Sequence, residues 1–104
     1  MARMVVIYRT PRDPEAFNQH YFSVHVPMAK KLPGLRRYDV SRGSILTPVG
    51  GSTPYMIATL LFDDMPAIRN AFASPEGQAC AADRQLFAPD DADLQVYLFE
   101  TNDV

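Results

Sequence analysis

The chain predicts an α+β fold in which the helices cover one face of a four-stranded antiparallel sheet. Three observations lead to this fold class. Apolar runs and helix-start signals follow the order β-α-β-β-α-β, the split βαβ arrangement. The first and third predicted strands are apolar throughout, which is typical of central strands. The second carries Arg36, Arg37, Asp39 and Arg42, as the edge strand of a sheet can.

The first strand and the first helix have clear local signals. Residues 4–8 (MVVIY) form a continuous apolar run rich in β-branched side chains. Asp13-Pro14-Glu15 is typical of a helix start, with an N-cap aspartate, a proline at the first helical position and an acid in the first turn. We predict a helix over about residues 14–32, kinked at Pro27 and ended by Pro33-Gly34. Its apolar stripe contains Phe17, Tyr21, Val24, Met28 and Leu32.

The rest of the chain supplies three further strands and two further helical segments. We predict a strand over 35–46, a turn over 47–53 with Gly50-Gly51, a strand over 55–62, a helix over 65–72 capped by Asp63-Asp64, a helix that Ser74-Pro75-Glu76 begins and that carries Cys80, a loop over 89–93 and a strand over 94–100. No repeat, linker or low-complexity segment interrupts this order, so we predict a single domain over 1–104.

Composition narrows the function classes. A hydrophobic share of 47% and a charged share of 21% are typical of a globular chain and exclude disorder. The formal net charge of −2 gives no general attraction for nucleic acid. The single cysteine, Cys80, excludes an intramolecular disulfide. Because the apolar runs are too short for a bilayer and no signal peptide is evident, we expect a cytoplasmic protein that does not bind membranes.

The two central strands predict a homodimer. Their apolar side chains point to both faces of the sheet, but the helices can cover only one face. A second face left in water would expose an apolar patch well above the roughly 300–600 Å² usual on monomers. We therefore expect a second copy of the chain to pack sheet against sheet about a twofold axis.

The segment around His25 is the strongest candidate for chemistry. Tyr21 and His25 are four residues apart and share one helix face. Pro27 removes the hydrogen bond that would otherwise reach the carbonyl of Ser23. An imidazole can take and return a proton near neutral pH, so His25 is a candidate general acid or base. The alternative is structural: His25 donates to a carbonyl that Pro27 leaves free.

The chain resembles the EthD-type family of ferredoxin-like dimeric α+β barrels. The matching residues are Tyr21 followed by His25-x-Pro27, then Leu32-Pro33-Gly34-Leu35, and Tyr38. The resemblance spans nearly the whole chain and implies the same fold, a homodimer and a small, mostly apolar ligand in a cleft between the helices and the sheet. The wider superfamily includes isomerases, haem-degrading enzymes and antibiotic-biosynthesis monooxygenases, so the resemblance alone does not fix a reaction.

Other chemistry-bearing residues have simpler interpretations. His20 lies five residues before His25, and on a regular helix the two side chains point apart, so we expect a boundary position for His20 and no metal pair. Cys80 is expected to be a small buried apolar residue. A solvated loop, not a calcium loop, is expected at Asp90, Asp91 and Asp93. Gly50-Gly51 lacks the pattern of a phosphate loop. A solvated rim is the expected role of the basic cluster of Lys30, Lys31, Arg36 and Arg37.

These residues together predict a binding protein that could carry out proton transfer. His25 and Tyr21 are the catalytic candidates, and Tyr8, Tyr38 and Met28 are the candidate ligand-binding residues. We expect no metal and no cofactor, although haem ligation by His25 is a minor alternative that the superfamily implies. The expected chemistry is a lyase or isomerase step in a catabolic or tailoring pathway. Two alternatives stay open: a non-catalytic carrier for a partner oxygenase, and a cofactor-free monooxygenase.

Overall fold

A computed structural model describes all residues, 1–104, and contains one four-stranded antiparallel sheet. The elements are β1 (Ala2–Tyr8), α1 (Pro14–His20), a π-helical turn (Tyr21–His25), α2 (Val26–Ala29), β2 (Arg37–Val40), β3 (Met56–Phe62), α3 (Met65–Ala73), α4 (Pro75–Phe87), a 3₁₀ turn (Asp91–Asp93) and β4 (Leu94–Glu100). No helix has the length and apolar character needed to cross a membrane.

The strand order β2-β3-β1-β4 confirms the predicted topology. β1 and β3 are the central strands, and β2 lies at an edge, as its charged residues predicted. The register places Val6 between Ala58 of β3 and Val96 of β4. Strand alternation then puts the even-numbered residues of β1 and β3 on the helix-covered face and the odd-numbered residues on the other face.

The helix-covered face forms the core of the protein. Every even-numbered residue of β3 is buried, and the aromatic rings of α1, α4 and β1 pack on this face. On the opposite face, Ile57 and Leu61 of β3 are only partly buried, and Tyr97 and Phe99 of β4 are 48% and 41% exposed. The chain therefore leaves one apolar sheet face uncovered, as the two-sided pattern of the central strands predicted.

Helix starts agree with the sequence signals because each has its capping residue. The Asp13 carboxylate accepts from the Ala16 N–H, Asp64 does the same for Ala67, and the Ser74 hydroxyl accepts from Gly77. A proline occupies the first or second position of each of these helices, where its missing N–H has no cost.

Two predicted bounds are wrong. The first helical segment ends at Ala29 rather than near residue 32, and the expected kink takes the form of a π-helical turn ahead of Pro27. Positive φ at Gly34 then redirects the chain. The second strand covers only Arg37–Val40 instead of 35–46, since its partner strand begins at Met56 and residues beyond 41 have nothing to pair with.

Candidate functional site

The π-helical turn gives the first helical segment its unusual geometry. The N–H of Val26 donates to the carbonyl of Tyr21, five residues back, instead of four. Pro27, which follows at once, has no N–H to donate, so the regular ladder cannot resume before it. Such single π turns are frequent at functional sites because they re-aim side chains. Here the turn sets the directions of His20 and His25, which lie five residues apart.

Both imidazoles contact one buried carboxylate on α4. His20 Nε2 lies 2.8 Å from Oδ1 of Asp83, and His25 Nδ1 lies 2.9 Å from Oδ2 of the same residue. Asp83 is 5% exposed, and His25 is 9% exposed. The prediction that the two histidines point apart is therefore wrong. It assumed a regular α-helix, whereas an i to i+5 turn brings residues five apart toward one side.

The Asp83 contact fixes which nitrogen of His25 is free. A carboxylate only accepts hydrogen bonds, so Nδ1 of His25 carries the hydrogen that it donates to Asp83. In the neutral ring, Nε2 then holds the lone pair. Burial lowers the pKa of His25 below its usual 6.5, an effect that Asp83 opposes and does not cancel. At neutral pH His25 is thus an unprotonated base, and it does not donate to a backbone carbonyl as the structural alternative required.

Three tyrosines accompany His25, of which Tyr8 and Tyr21 are buried and Tyr38 is half-buried. The hydroxyls of Tyr21 and Tyr38 are 2.5 Å apart, and the ring of Tyr8 packs edge-on to Tyr21 at 5.6 Å between centroids. Burial raises the pKa of all three phenols, so each remains protonated at neutral pH. When one hydroxyl of the Tyr21–Tyr38 pair donates to the other, the second keeps a hydrogen for another acceptor.

These side chains surround a cavity of about 210 Å³ between the helices and the sheet. Tyr8, Tyr21, His25 and Tyr38 are all on its wall, so the structure brings four of the five predicted site residues together. Met28 packs against the core but is not on this wall. The remaining wall is largely aliphatic and includes Val6, Ala29, Leu32, Ala58, Leu60 and Leu94.

Two charged residues at the site, Asp83 and Arg84, lie outside the predicted set. Asp83 orients His25, and Arg84 lines the cavity while its guanidinium donates to the carbonyl of Ala88 at 3.0 Å. A sequence signal for Asp83 exists: it lies three residues after Cys80 and four before Phe87, on the apolar stripe of the last helix. A carboxylate on such a stripe needs a partner, which here is a pair of imidazoles.

The remaining candidates have structural roles. Cys80 is 4% exposed, and burial raises the pKa of its thiol, which confirms the prediction of a small buried apolar residue. Asp90 and Asp93 cap the 3₁₀ turn: the Asp90 side chain accepts from backbone N–H groups of the turn, and the Asp93 side chain accepts from the Asp90 N–H. No group of three or more His, Cys, Asp or Glu side chains is arranged to hold a metal ion. The imidazole of His25, which Asp83 orients, can accept, hold and return a proton at the apolar cavity.

Comparison with known proteins identifies relatives at two levels. The model of the EthD domain matches residues 9–91. An uncharacterised 11.0 kDa protein in the thcB–thcC intergenic region of Rhodococcus erythropolis is 40% identical over 90 residues, covering 85% of this chain and 84% of that protein. The crystal structure of an ethyl tert-butyl ether D (EthD) family protein from Bacillus halodurans C-125 superposes with a TM-score of 0.86 at 32% identity, covering 98% and 99% of the two chains.

More distant structures share the fold alone. A dimeric ferredoxin-like protein from Thermobifida fusca matches with a TM-score of 0.68 at 18% identity, over 96% of this chain and 90% of that one. SnoaB, a cofactor-independent oxygenase from Streptomyces nogalater, matches with a TM-score of 0.68 at 17% identity, over 99% and 94%. The family match over most of the chain and the close structural relative agree with each other. The chain belongs to the EthD domain family, with a ferredoxin-like fold.

Proposed function

We propose that the protein binds a small, mostly apolar, oxygen-bearing metabolite in the His25 cavity and transfers a proton to or from it. The observation that carries the proposal is an imidazole held by a buried carboxylate on the wall of an otherwise mostly apolar cavity. Catalytic bases that work near neutral pH combine this burial with a fixed tautomer. An imidazole needed only for packing has no requirement for empty space beside it.

The size and lining of the cavity favour one class of ligand. Only His25 and Arg84 among the 16 wall residues carry an ionisable nitrogen, and 14 are hydrophobic. The volume of about 210 Å³ is below the roughly 300–1,000 Å³ of drug-sized pockets, whereas a cavity of about 150 Å³ can hold benzene. A single substituted ring or a short branched compound fits this space.

The tyrosine pair favours an oxygen on that ligand. The free hydrogen of the Tyr21–Tyr38 pair can donate to a carbonyl, phenol or ether oxygen of a molecule in the cavity. Polarisation of that oxygen makes a neighbouring C–H or O–H proton easier to remove, and Nε2 of His25 would accept it. Return of the proton at another atom gives an isomerisation, and loss of a leaving group gives a lyase step. Neither step uses a cofactor.

We further propose that the working form is a homodimer in the cytoplasm, packed through the uncovered sheet face. Support comes from the partly exposed apolar residues Ile7, Ile57, Tyr97 and Phe99 on that face. The dimeric ferredoxin-like protein of Thermobifida fusca supplies a precedent on the same fold. Sedimentation of the purified chain should give twice the mass of 11.6 kDa, and a monomer at micromolar concentration would overturn this part of the proposal.

The ligand is tested by native mass spectrometry of protein purified from its own host. We expect one apolar, oxygen-bearing compound per subunit. The variant Ala58→Leu adds bulk to the cavity wall and should lose the compound. The matched control Ala82→Leu places the same side chain on an exposed position of α4 and should retain it. Retention by Ala58→Leu would place the compound outside the cavity.

Conversion is tested with the captured compound. Wild-type protein in deuterated water should exchange or transform the compound. His25→Gln keeps a polar side chain of similar size but has no basic nitrogen, and it should lose at least about 100-fold in rate. Equal rates would remove His25 from the chemistry. Binding without any turnover in the wild type would instead favour a carrier. Oxygen consumption would favour a cofactor-independent oxygenase, as is SnoaB, which shares the fold.

A further inference from the structure

His20 takes part in the site without touching the cavity. It is the last residue of α1, and its side chain is 29% exposed in a surface groove that shares no lining residue with the cavity. Its Nε2 lies 2.8 Å from Oδ1 of Asp83, and its ring packs at a tilt on Phe87 with 5.6 Å between centroids. The chain therefore places one imidazole on each side of a buried carboxylate.

Asp83 has no other hydrogen-bonding partner. Its Oδ1 meets only His20 and its Oδ2 meets only His25. Both carboxylate oxygens must be satisfied, because the side chain is 5% exposed and cannot turn to water. A carboxylate held by a single hydrogen bond can rotate about its Cβ–Cγ bond and present either oxygen to that one partner. With a second donor on the opposite side, rotation would break two hydrogen bonds instead of one.

We propose that His20 is a positioning residue for His25, acting through Asp83. By donating Nε2–H to Oδ1, His20 holds the carboxylate so that Oδ2 accepts from Nδ1–H of His25, which keeps the lone pair of His25 on Nε2 and directed at the cavity. This inference rests on the proposed function, since a defined lone pair matters only if His25 acts as a base. It assigns a site role to a residue whose sequence position predicts only a boundary location.

The test is the tautomer of His25, measured by nitrogen-15 NMR of the imidazole rings in the full chain. In the wild type, Nδ1 of His25 should show a directly bonded hydrogen that exchanges slowly with water. His20→Leu removes the donor and keeps an apolar group against Phe87. We expect this variant to lose the single tautomer and to exchange the Nδ1 hydrogen about 10- to 100-fold faster, the range for one charge-assisted hydrogen bond.

The matched variant is His20→Gln. Its side-chain amide nitrogen can occupy the place of Nε2 and donate to Oδ1, so the wild-type tautomer and exchange rate should return. A purely structural role for His20 predicts a different pattern, in which both variants lower the unfolding midpoint but leave the His25 tautomer unchanged. That pattern, or an unaltered His25 in His20→Leu, overturns the inference.

The outcome is separable from that of the proposed function. The tautomer of His25 is measured without any ligand, so the inference about His20 can fail while His25→Gln still abolishes conversion. In that case His25 is a base that Asp83 orients alone. Conversely, a tautomer that follows His20 together with full conversion by His25→Gln would keep the positioning geometry and remove the proposed chemistry. If Leu at position 20 prevents folding, His20→Met supplies the same loss of the donor with a flexible apolar side chain.

Discussion

Replacement of Asp83 by asparagine tests the buried carboxylate directly. The carboxylate accepts two hydrogen bonds, at 2.8 and 2.9 Å, and is almost completely buried. Asparagine keeps the shape but has only one acceptor oxygen. Its amide nitrogen donates, so one imidazole keeps a neutral hydrogen bond and the other must change to its second tautomer to accept one, a loss of about 1 kcal/mol apiece relative to the charge-assisted bonds. Asp83→Asn should therefore lower the free energy of unfolding by about 2 kcal/mol, which is roughly 10 °C in the midpoint for a chain of this length.

Two further variants bracket that value. Asp83→Leu removes both acceptors and leaves the buried Nδ1–H of His25 without a partner, so we expect a loss of about 3–5 kcal/mol. Asp63→Asn is the control, because the Asp63 carboxylate also accepts two hydrogen bonds, here from the guanidinium of Arg36 at 3.0 and 2.8 Å, but with both side chains in solvent. It should change stability far less than Asp83→Asn.

Urea unfolding followed by circular dichroism measures all three variants. The protein concentration is held constant, since association would make the midpoint depend on it. A change of less than about 0.5 kcal/mol for Asp83→Asn, the usual range of neutral surface substitutions, would mean that the two hydrogen bonds of the Asp83 carboxylate do not stabilise the fold. The two imidazoles would then be satisfied by other groups, and the tautomer argument for His25 would lose its basis.

Three other predictions concern the fold and the site. Gly77→Ala should lower the free energy of unfolding by about 1–3 kcal/mol despite the better helix propensity of alanine, because the added Cβ would lie 2.2 Å from the Ala71 carbonyl oxygen. The control Ala82→Gly, on the exposed face of the same helix, should lower it by only about 0.5–1 kcal/mol, with both variants measured by urea unfolding. A double-mutant cycle of Tyr21→Phe and Tyr38→Phe should give a coupling of about 0.5–1.5 kcal/mol, and additive losses would mean that their hydroxyls do not bond. Folding lowers the pKa of His25, so below about pH 6.5 the unfolded chain binds a proton that the folded chain does not, and the free energy of unfolding falls as the pH falls. Unfolding midpoints measured across pH 5–8 should show this slope, and His25→Gln should flatten it. The same slope in His25→Gln would contradict the effect of burial on His25.

Much of the fold was predictable because local and global signals agree. The apolar run of β1, the capping residues Asp13, Asp64 and Ser74, and the alternation along β3 each favour the element that forms. The two wrong bounds come from tertiary context. The length of β2 depends on where β3 begins, and periodicity within residues 35–46 carries no record of its partner.

The candidate site was predictable only in part. Tyr21 and His25 stand out because they share a helix face, and Tyr8 and Tyr38 lie on strands that reach the same cavity. The link between His20 and His25 was not predictable from a regular helical repeat, since it depends on one π-helical turn. Asp83 is 58 residues from His25, and only the packing of α4 against that turn brings their side chains together.

The protonation state of His25 decides whether this residue can act as the base, because the proposed chemistry requires a free lone pair on Nε2 at neutral pH. An NMR titration of the wild-type protein, read at both ring nitrogens of His25, measures this without a substrate. We expect His25 to carry a hydrogen on Nδ1 and none on Nε2 at pH 7, and to have a pKa below 6.5. A hydrogen on Nε2 at pH 7, or a pKa above 6.5, would contradict this expectation and leave the imidazole as a structural group.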